Sequence, residues 1–244
     1  MNLIFVFLFS ISSCDRDEKI RVTNYPNTYN ILTYCLGHKE FISSIHLLDQ
    51  ETLISGSGDG KIIIWRFLNG EKLFSFDCDE NKADNFLEMD KTENKSKFPI
   101  KSISIDNDVA NAVAVSFYDQ SFVYLFQLIR VSGKISSLQL VFKLTLETNP
   151  IWLQFDLVHC NFIWIFGGIL DKSIELFELK QNKLESALCN LKIVETINES
   201  QQFKLAIENE RKENSVNNLF KHYYQNVKLY YQRKQLRFEN ENKT

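Results

Sequence analysis

The chain has 244 residues, 44% hydrophobic and 24% charged, with 20 Phe and a formal net charge of −3. That length suits one large domain, or a domain with an appendage, and the aromatic supply supports a sizeable core. The slightly acidic balance excludes a globally basic nucleic-acid binder, and five cysteines, an odd number without a Cys-x-x-Cys pair, give neither a zinc site nor an evident disulfide framework and fit a reducing compartment.

At the start, Leu3 to Phe9 is a seven-residue apolar run, the length of a signal-peptide core and too short to span a membrane. No Lys or Arg precedes it and no Ala-x-Ala-like site follows, so the reading adopted is a buried strand over Phe9 to Ser13, with secretion as the alternative. Asn94, Asn198 and Asn242 open glycosylation-type triplets, which an Asn- and Ser-rich chain also produces by chance. Next comes "DRDEKIRV", Asp15 to Val22, with six charged side chains in eight residues. Strand alternation would turn Ile20 and Val22 to one side and Lys19 and Arg21 to the other.

"LISGSGDGKIIIW", Leu53 to Trp65, reads as strand, tight turn, strand: Gly56, Gly58 and Gly60 surround Asp59, and a β-branched run ends in Trp. Aligned by the turn Asp, "SSCDRDEKIRVT" places Ser13 under Ser55, Asp17 under Asp59 and Thr23 under Trp65. Two weaker copies follow, with Asp119 and Leu125, then Asp171 and Phe177, at the Asp and Trp positions. Four such units predict stacked antiparallel sheets. Between the second and third units, Asp77 to Lys97 is acidic and poor in apolar residues, which predicts a solvated loop.

After Leu191 the period changes. Val216, Leu219, Phe220, Tyr223, Tyr224, Val227, Tyr230 and Tyr231 recur at three- and four-residue steps, predicting an amphipathic helix. Lys221, Lys228, Arg233, Lys234 and Arg237 lie on the same stretch, with no acidic residue from Lys221 to Phe238, so they are candidate RNA contacts. An ordinary lysine-rich helix surface is the alternative.

The second unit is complete: Gly37-His38, Ser55, Asp59 and Trp65 resemble the WD-repeat pattern of β-propellers. The resemblance implies that His38, Ser55, Asp59 and Trp65 form a hydrogen-bonded structural tetrad, and buried polar groups of this kind need such partners. The fold class expected is therefore all-β, a partial WD-repeat β-propeller over 1–195 with a C-terminal helical tail over 196–244. About three and a half blades are expected: half of one to Val22, a full one over Asn24 to Trp65, and degenerate ones over Ile100 to Phe126 and Leu140 to Leu179. A ring closes with roughly 4 to 8 blades of about 40 residues, so the chain is expected to be a piece of a longer protein.

Within WD-repeat proteins, "DRDEKIRV", "CLGHKEFIS", "SGSGDGKIIIW" and the tail around "LFKHYYQNV" look like the non-catalytic WD-repeat subunit of tRNA (guanine-N7)-methyltransferase. The likeness covers most of residues 9 to 238 and is strongest up to Leu73. It implies a seven-bladed nuclear propeller in heterodimeric association with a separate, S-adenosylmethionine-using catalytic subunit, with tRNA reached through the complex. It also implies that basic residues of the octet pair with acidic side chains of that subunit, Arg21 first and Lys19 second. No catalytic residue, cofactor, metal or membrane contact is expected: there is no phosphate-cradling Gly-rich loop, no Gly-x-Ser-x-Gly and no His-Glu-x-x-His, and His38, His46, His159 and His222 are scattered. A generic WD-repeat adaptor without an RNA connection is the competing class.

Overall fold

The computed structural model describes residues 2–6, 10–14, 18–79, 98–106, 111–156, 162–167, 174–180 and 183–186. Among these the chain forms antiparallel sheets of four strands and no helix. The first sheet holds β1 (Asn2–Val6), β2 (Ser10–Cys14), β3 (Lys19–Asn24) and β4 (Ile31–Leu36) in chain order. The second holds β5 (Ile42–Leu47), β6 (Thr52–Ser57), β7 (Lys61–Arg66) and β8 (Glu71–Asp77). The third comprises β9 (Ile100–Asp106), β10 (Ala112–Phe117), β11 (Phe122–Val131) and β12 (Lys134–Thr145), and the fourth β13 (Trp152–Phe155), β14 (Phe162–Phe166), β15 (Ile174–Lys180) and β16 (Lys183–Ser186).

Sheet alternation explains where the core lies. In β7, Ile62 and Ile64 pack with Val113, Val115, Tyr124 and Phe126 of the third sheet, while Ile63 and Trp65 pack with Ile20, Val22 and Cys35 of the first. In β10, Val113 and Val115 face the second sheet, whereas Ala112 and Ala114 face Leu153, Ile163 and Phe177 of the fourth. The core is thus a series of layers between sheets, and an inner strand must be apolar on both faces to supply two of them. Gly56 on β6 allows one close approach of the second and third sheets: a Cβ there would stand 2.7 Å from Ile100 and 2.8 Å from Ile103.

The described sheets correct the expected blade count. The first is a full four-stranded sheet and not a half, because the chain after Val22 turns at Pro26–Asn30 and returns as β4, paired with β3 from Lys19↔Leu36 onward. Leu140, expected in the fourth unit, belongs to β12, opposite Phe126 of β11. The physical reason is common to both: the sequence repeat ends at the Trp position, but the chain closes each sheet with one more outer strand before moving to the next. The predicted strand at Phe9 to Ser13 appears as β2, and Ile11 and Cys14 are buried. The C-terminal helix over 196–244 with Lys221, Lys228, Arg233, Lys234 and Arg237 lies outside the described residues. Of the solvated loop expected from Asp77 to Lys97, Asp77 ends β8 and Cys78 is buried in the core, while 80–97 lie outside the described residues.

The alignment of the first two units holds in the ladder. Cys14↔Ile20 and Gly56↔Ile62 each close a loop of the same length, and Ser13↔Arg21 repeats Ser55↔Ile63. The third unit departs by one residue, since Ser116 pairs with Val123. Asp119 takes up the extra residue in a left-handed conformation (φ 56°), so Phe126 and not Leu125 stands at the Trp position. Its burial confirms this: Phe126 packs toward the preceding sheet as Trp65 does, and Leu125 toward the following one.

One titratable group lies in the seam between the second and third sheets. His46 Nε2 is 3.0 Å from Ser44 Oγ, and the Ile103 amide donates to the same hydroxyl at 3.3 Å. Burial pushes His46 below its ordinary 6.5, against a smaller upward pull from its bond to the Ile103 backbone. The unfolded chain then binds the proton more readily than the folded one, so this contribution is complete above the ordinary value and lost as pH falls through it. Thermal midpoints should therefore drop between pH 7 and pH 5, and His46→Gln should remove part of that slope; an identical slope in the variant would contradict the assignment.

Candidate partner-docking site and the network behind it

The tetrad expected from sequence is assembled. His38, in the loop between β4 and β5, places Nε2 2.8 Å from Ser55 Oγ on β6 and Nδ1 3.1 Å from Asp59 Oδ2 in the β6–β7 turn. Trp65 Nε1–H on β7 donates to the same Ser55 oxygen at 2.8 Å. A carboxylate only accepts, so with Asp59 ionised His38 Nδ1 carries a proton and donates to it. The carboxylate also accepts the backbone amides of Lys39 at 2.8 Å and Lys61 at 3.0 Å.

This chemistry is structural. Burial alone would raise the Asp59 carboxyl, but the hydrogen bond and charge of His38 and the Lys39 and Lys61 amides outweigh it and hold it below the usual carboxylate value. The carboxylate is fully used in tying the incoming loop to its own turn, and Ser55 lies beneath His38 and Trp65 with no exposed surface. Among the described residues no group of three or more His, Cys, Asp or Glu is placed to hold a metal.

The second candidate set lies on β3. Ile20 and Val22 are completely buried against the second sheet, while Lys19 and Arg21 project from the opposite face and are exposed, as alternation requires. β3 is an inner strand, paired with β2 and β4, so the charges stand on a sheet face and not on an open edge. The register is informative: Arg21 occupies the position held by Ile63 in the second sheet and Tyr124 in the third, both buried against the preceding sheet. A guanidinium at that position would be costly to bury without a partner. Neither Arg21 nor Lys19 forms an ion pair with another described residue.

Sequence reading missed two neighbours. Tyr34 and Leu36 on β4 stand opposite Arg21 and Lys19, and are 37% and 60% exposed. The signal was present: Val22 to Gly37 carries no charged residue, yet it holds Tyr25, Tyr29, Ile31, Leu32, Tyr34 and Leu36, all exposed apolar side chains. Cations flanked by exposed aromatic and aliphatic groups form a surface suited to a protein partner bearing carboxylates. Asp15, Arg16 and Asp17 of the octet lie outside the described residues.

Comparison with known families now bears on this geometry. The family described as the tRNA methyltransferase TRM82 WD40 domain matches residues 10–163. The chain belongs to that family. The TRM82 WD40 match runs from β2 into β14 and so includes both the tetrad and β3. Among curated relatives, the tRNA (guanine-N(7)-)-methyltransferase non-catalytic subunit wuho of Drosophila ananassae is 54% identical over 63 residues, covering 26% of this chain and 16% of the relative. The wuho proteins of Drosophila grimshawi (54% over 67 residues, 28% and 17%) and Drosophila melanogaster (51% over 63 residues, 26% and 15%) match similarly. The matched stretch thus spans about a sixth of the length of these relatives. A chain in the crystal structure of the mitotic checkpoint complex aligns with a TM-score of 0.54 and 13% identity over 74% of this chain and 50% of that one, a likeness of fold alone.

Asp59→Ala removes the acceptor for the buried His38 and for two backbone amides. Chemical unfolding of the variant should show a loss of about 2 to 4 kcal/mol. The depressed carboxyl adds a pH signature: its contribution holds above the ordinary 3.8 and fades as pH falls below it, and the variant should lack that acid-side loss. A variant as stable as the parent would show that the tetrad does not hold the second sheet.

Proposed function

We propose that this chain is a non-catalytic scaffold that binds and stabilises the catalytic subunit of a tRNA (guanine-N7)-methyltransferase, supporting N7-methylguanosine formation in tRNA. Membership of the TRM82 WD40 family supports the reading, as does the likeness to the wuho non-catalytic subunits. The observation that carries it is the reversal at Arg21 of β3: the position buried as Ile63 and Tyr124 in the corresponding strands bears a guanidinium here, exposed with Lys19 beside Tyr34 and Leu36.

The contact chemistry follows from the side chains. Arg21 presents a planar fork that engages a carboxylate through two parallel hydrogen bonds, and Lys19 adds a point charge two residues away on the same face. Tyr34 and Leu36 supply apolar area that excludes water from these pairs and strengthens them. The buried Ile20 and Val22 on the reverse of the strand fix its orientation, so the cations are presented by a rigid sheet. Under this reading the chain contributes no reacting group and the methyl-transfer chemistry belongs wholly to the partner, whose complex resides in the nucleus.

Arg21→Ala should weaken binding to the catalytic subunit by about 2 kcal/mol or more, roughly thirtyfold in Kd, and Arg21→Glu by more still. Thermal midpoints should stay near that of the parent, because the side chain is exposed. Unchanged affinity in both variants, measured by calorimetry on folded protein, would refute the interface.

A further inference from the structure

A groove between the second and third sheets is built from elements that the docking reading does not use. Its volume is about 510 Å3, within the range of ligand-binding clefts. The Asp49–Thr52 turn between β5 and β6 lines one side, with Arg66 and Leu73 from β7 and β8. Arg130, Gly133, Lys134 and Ile135 of the β11–β12 hairpin line the other. Leu73 and Ile135 are its apolar members and belong to the core layer between the two sheets.

The hairpin wall is an addition to the blade. β11 and β12 run to 10 and 12 residues, against 6 and 7 for β7 and β8, and a tight turn with positive φ at Ser132 and Gly133 closes them. A bulge between Ile129 and Arg130 shifts the register just where the arginine is needed, a device that re-aims a side chain. Arg130 Nε donates to Asn111 Oδ1 at 3.0 Å, and its Nη1 is 3.9 Å from Asp49 Oδ2, a loose approach across the groove. Lys134 is exposed and has no ion pair with a described residue. Thr52, only 7% exposed, also lines the groove, and its Oγ1 has no hydrogen-bond partner among the described residues. A buried hydroxyl left unmatched calls for an explanation.

Charge decides the class of ligand. Arg66 is matched by Glu71, and Asp49 and Glu51 stand on the rim, so a phosphate chain would meet carboxylates as often as free cations. A segment with one acid beside an apolar side chain asks for a single cationic wall and an apolar floor, which Arg130 and Lys134 and the pair Leu73 and Ile135 supply. We propose that this groove binds an extended peptide segment of a protein partner, seating an apolar side chain over Leu73 and Ile135 and a carboxylate between Arg130 and Lys134.

Panning the whole chain against phage-displayed random octapeptides tests this, with the enriched peptides then synthesised and titrated. The expected outcome is a consensus of an acidic residue close to an apolar one, with affinity reduced about tenfold or more in both Lys134→Glu and Arg130→Gln. Lys134→Glu changes an exposed side chain, so its thermal midpoint should match the parent and separate lost binding from lost folding. Failure to enrich any consensus, or peptides that bind Lys134→Glu as well as the parent, would overturn the proposal. So would tight binding of oligouridylate that Lys134→Glu abolishes while the selected peptides do not compete.

Discussion

Burial of both faces of the inner strands in the second and third sheets is the constraint on which the described structure depends. A four-stranded sheet alone cannot cover its own apolar surface. Here an inner strand lends alternate residues to the layers on either side, so Ile62 and Ile64 of β7 serve one layer while Ile63 and Trp65 serve the other. Cooperativity follows, because no sheet keeps its core if a neighbour leaves. Small side chains fit the layers too: Ala112 and Ala114 lie in the one between the third and fourth sheets, and Gly56 has no room for a Cβ beside Ile100 and Ile103.

Against that constraint the exceptions acquire meaning. His38, Ser55 and Asp59 put polar groups where the layers are dry, and they are tolerated because each donor and acceptor has a partner within about the normal hydrogen-bond length. Lys19 and Arg21 break the rule differently, by giving a sheet face to charge. The first exception is answered inside the chain. The second is answered by nothing among the described residues, which is why the structure points outward at β3 and inward at the tetrad.

The tetrad was legible through the resemblance of Gly37-His38, Ser55, Asp59 and Trp65 to the WD-repeat pattern, which implies that these side chains meet. The inward and outward faces of β3 were legible because a period of two admits one arrangement of Ile20 and Val22 against Lys19 and Arg21. Sheet boundaries were less so. β4 and β12 have one face in solvent and carry weak alternation, so the repeat pattern stopped at the Trp position and missed the outer strand. Leu125 was assigned one residue early because a non-glycine residue, Asp119, adopts a left-handed conformation that sequence spacing does not announce. The groove was invisible in sequence, as it joins a turn of the second sheet to a hairpin 80 residues later in the chain, from about Thr52 to about Lys134.

The central claim, that the charged face of β3 is covered by the catalytic methyltransferase subunit, is open to direct chemical footprinting. Acylation of lysines and arginine modification by a dicarbonyl, quantified by mass spectrometry with and without that subunit, reads the two side chains separately. Lys19 and Arg21 should lose reactivity in the complex while Lys134, at the groove between the second and third sheets, keeps its own. Equal labelling of Lys19 and Arg21 in the free and bound chain would contradict the account.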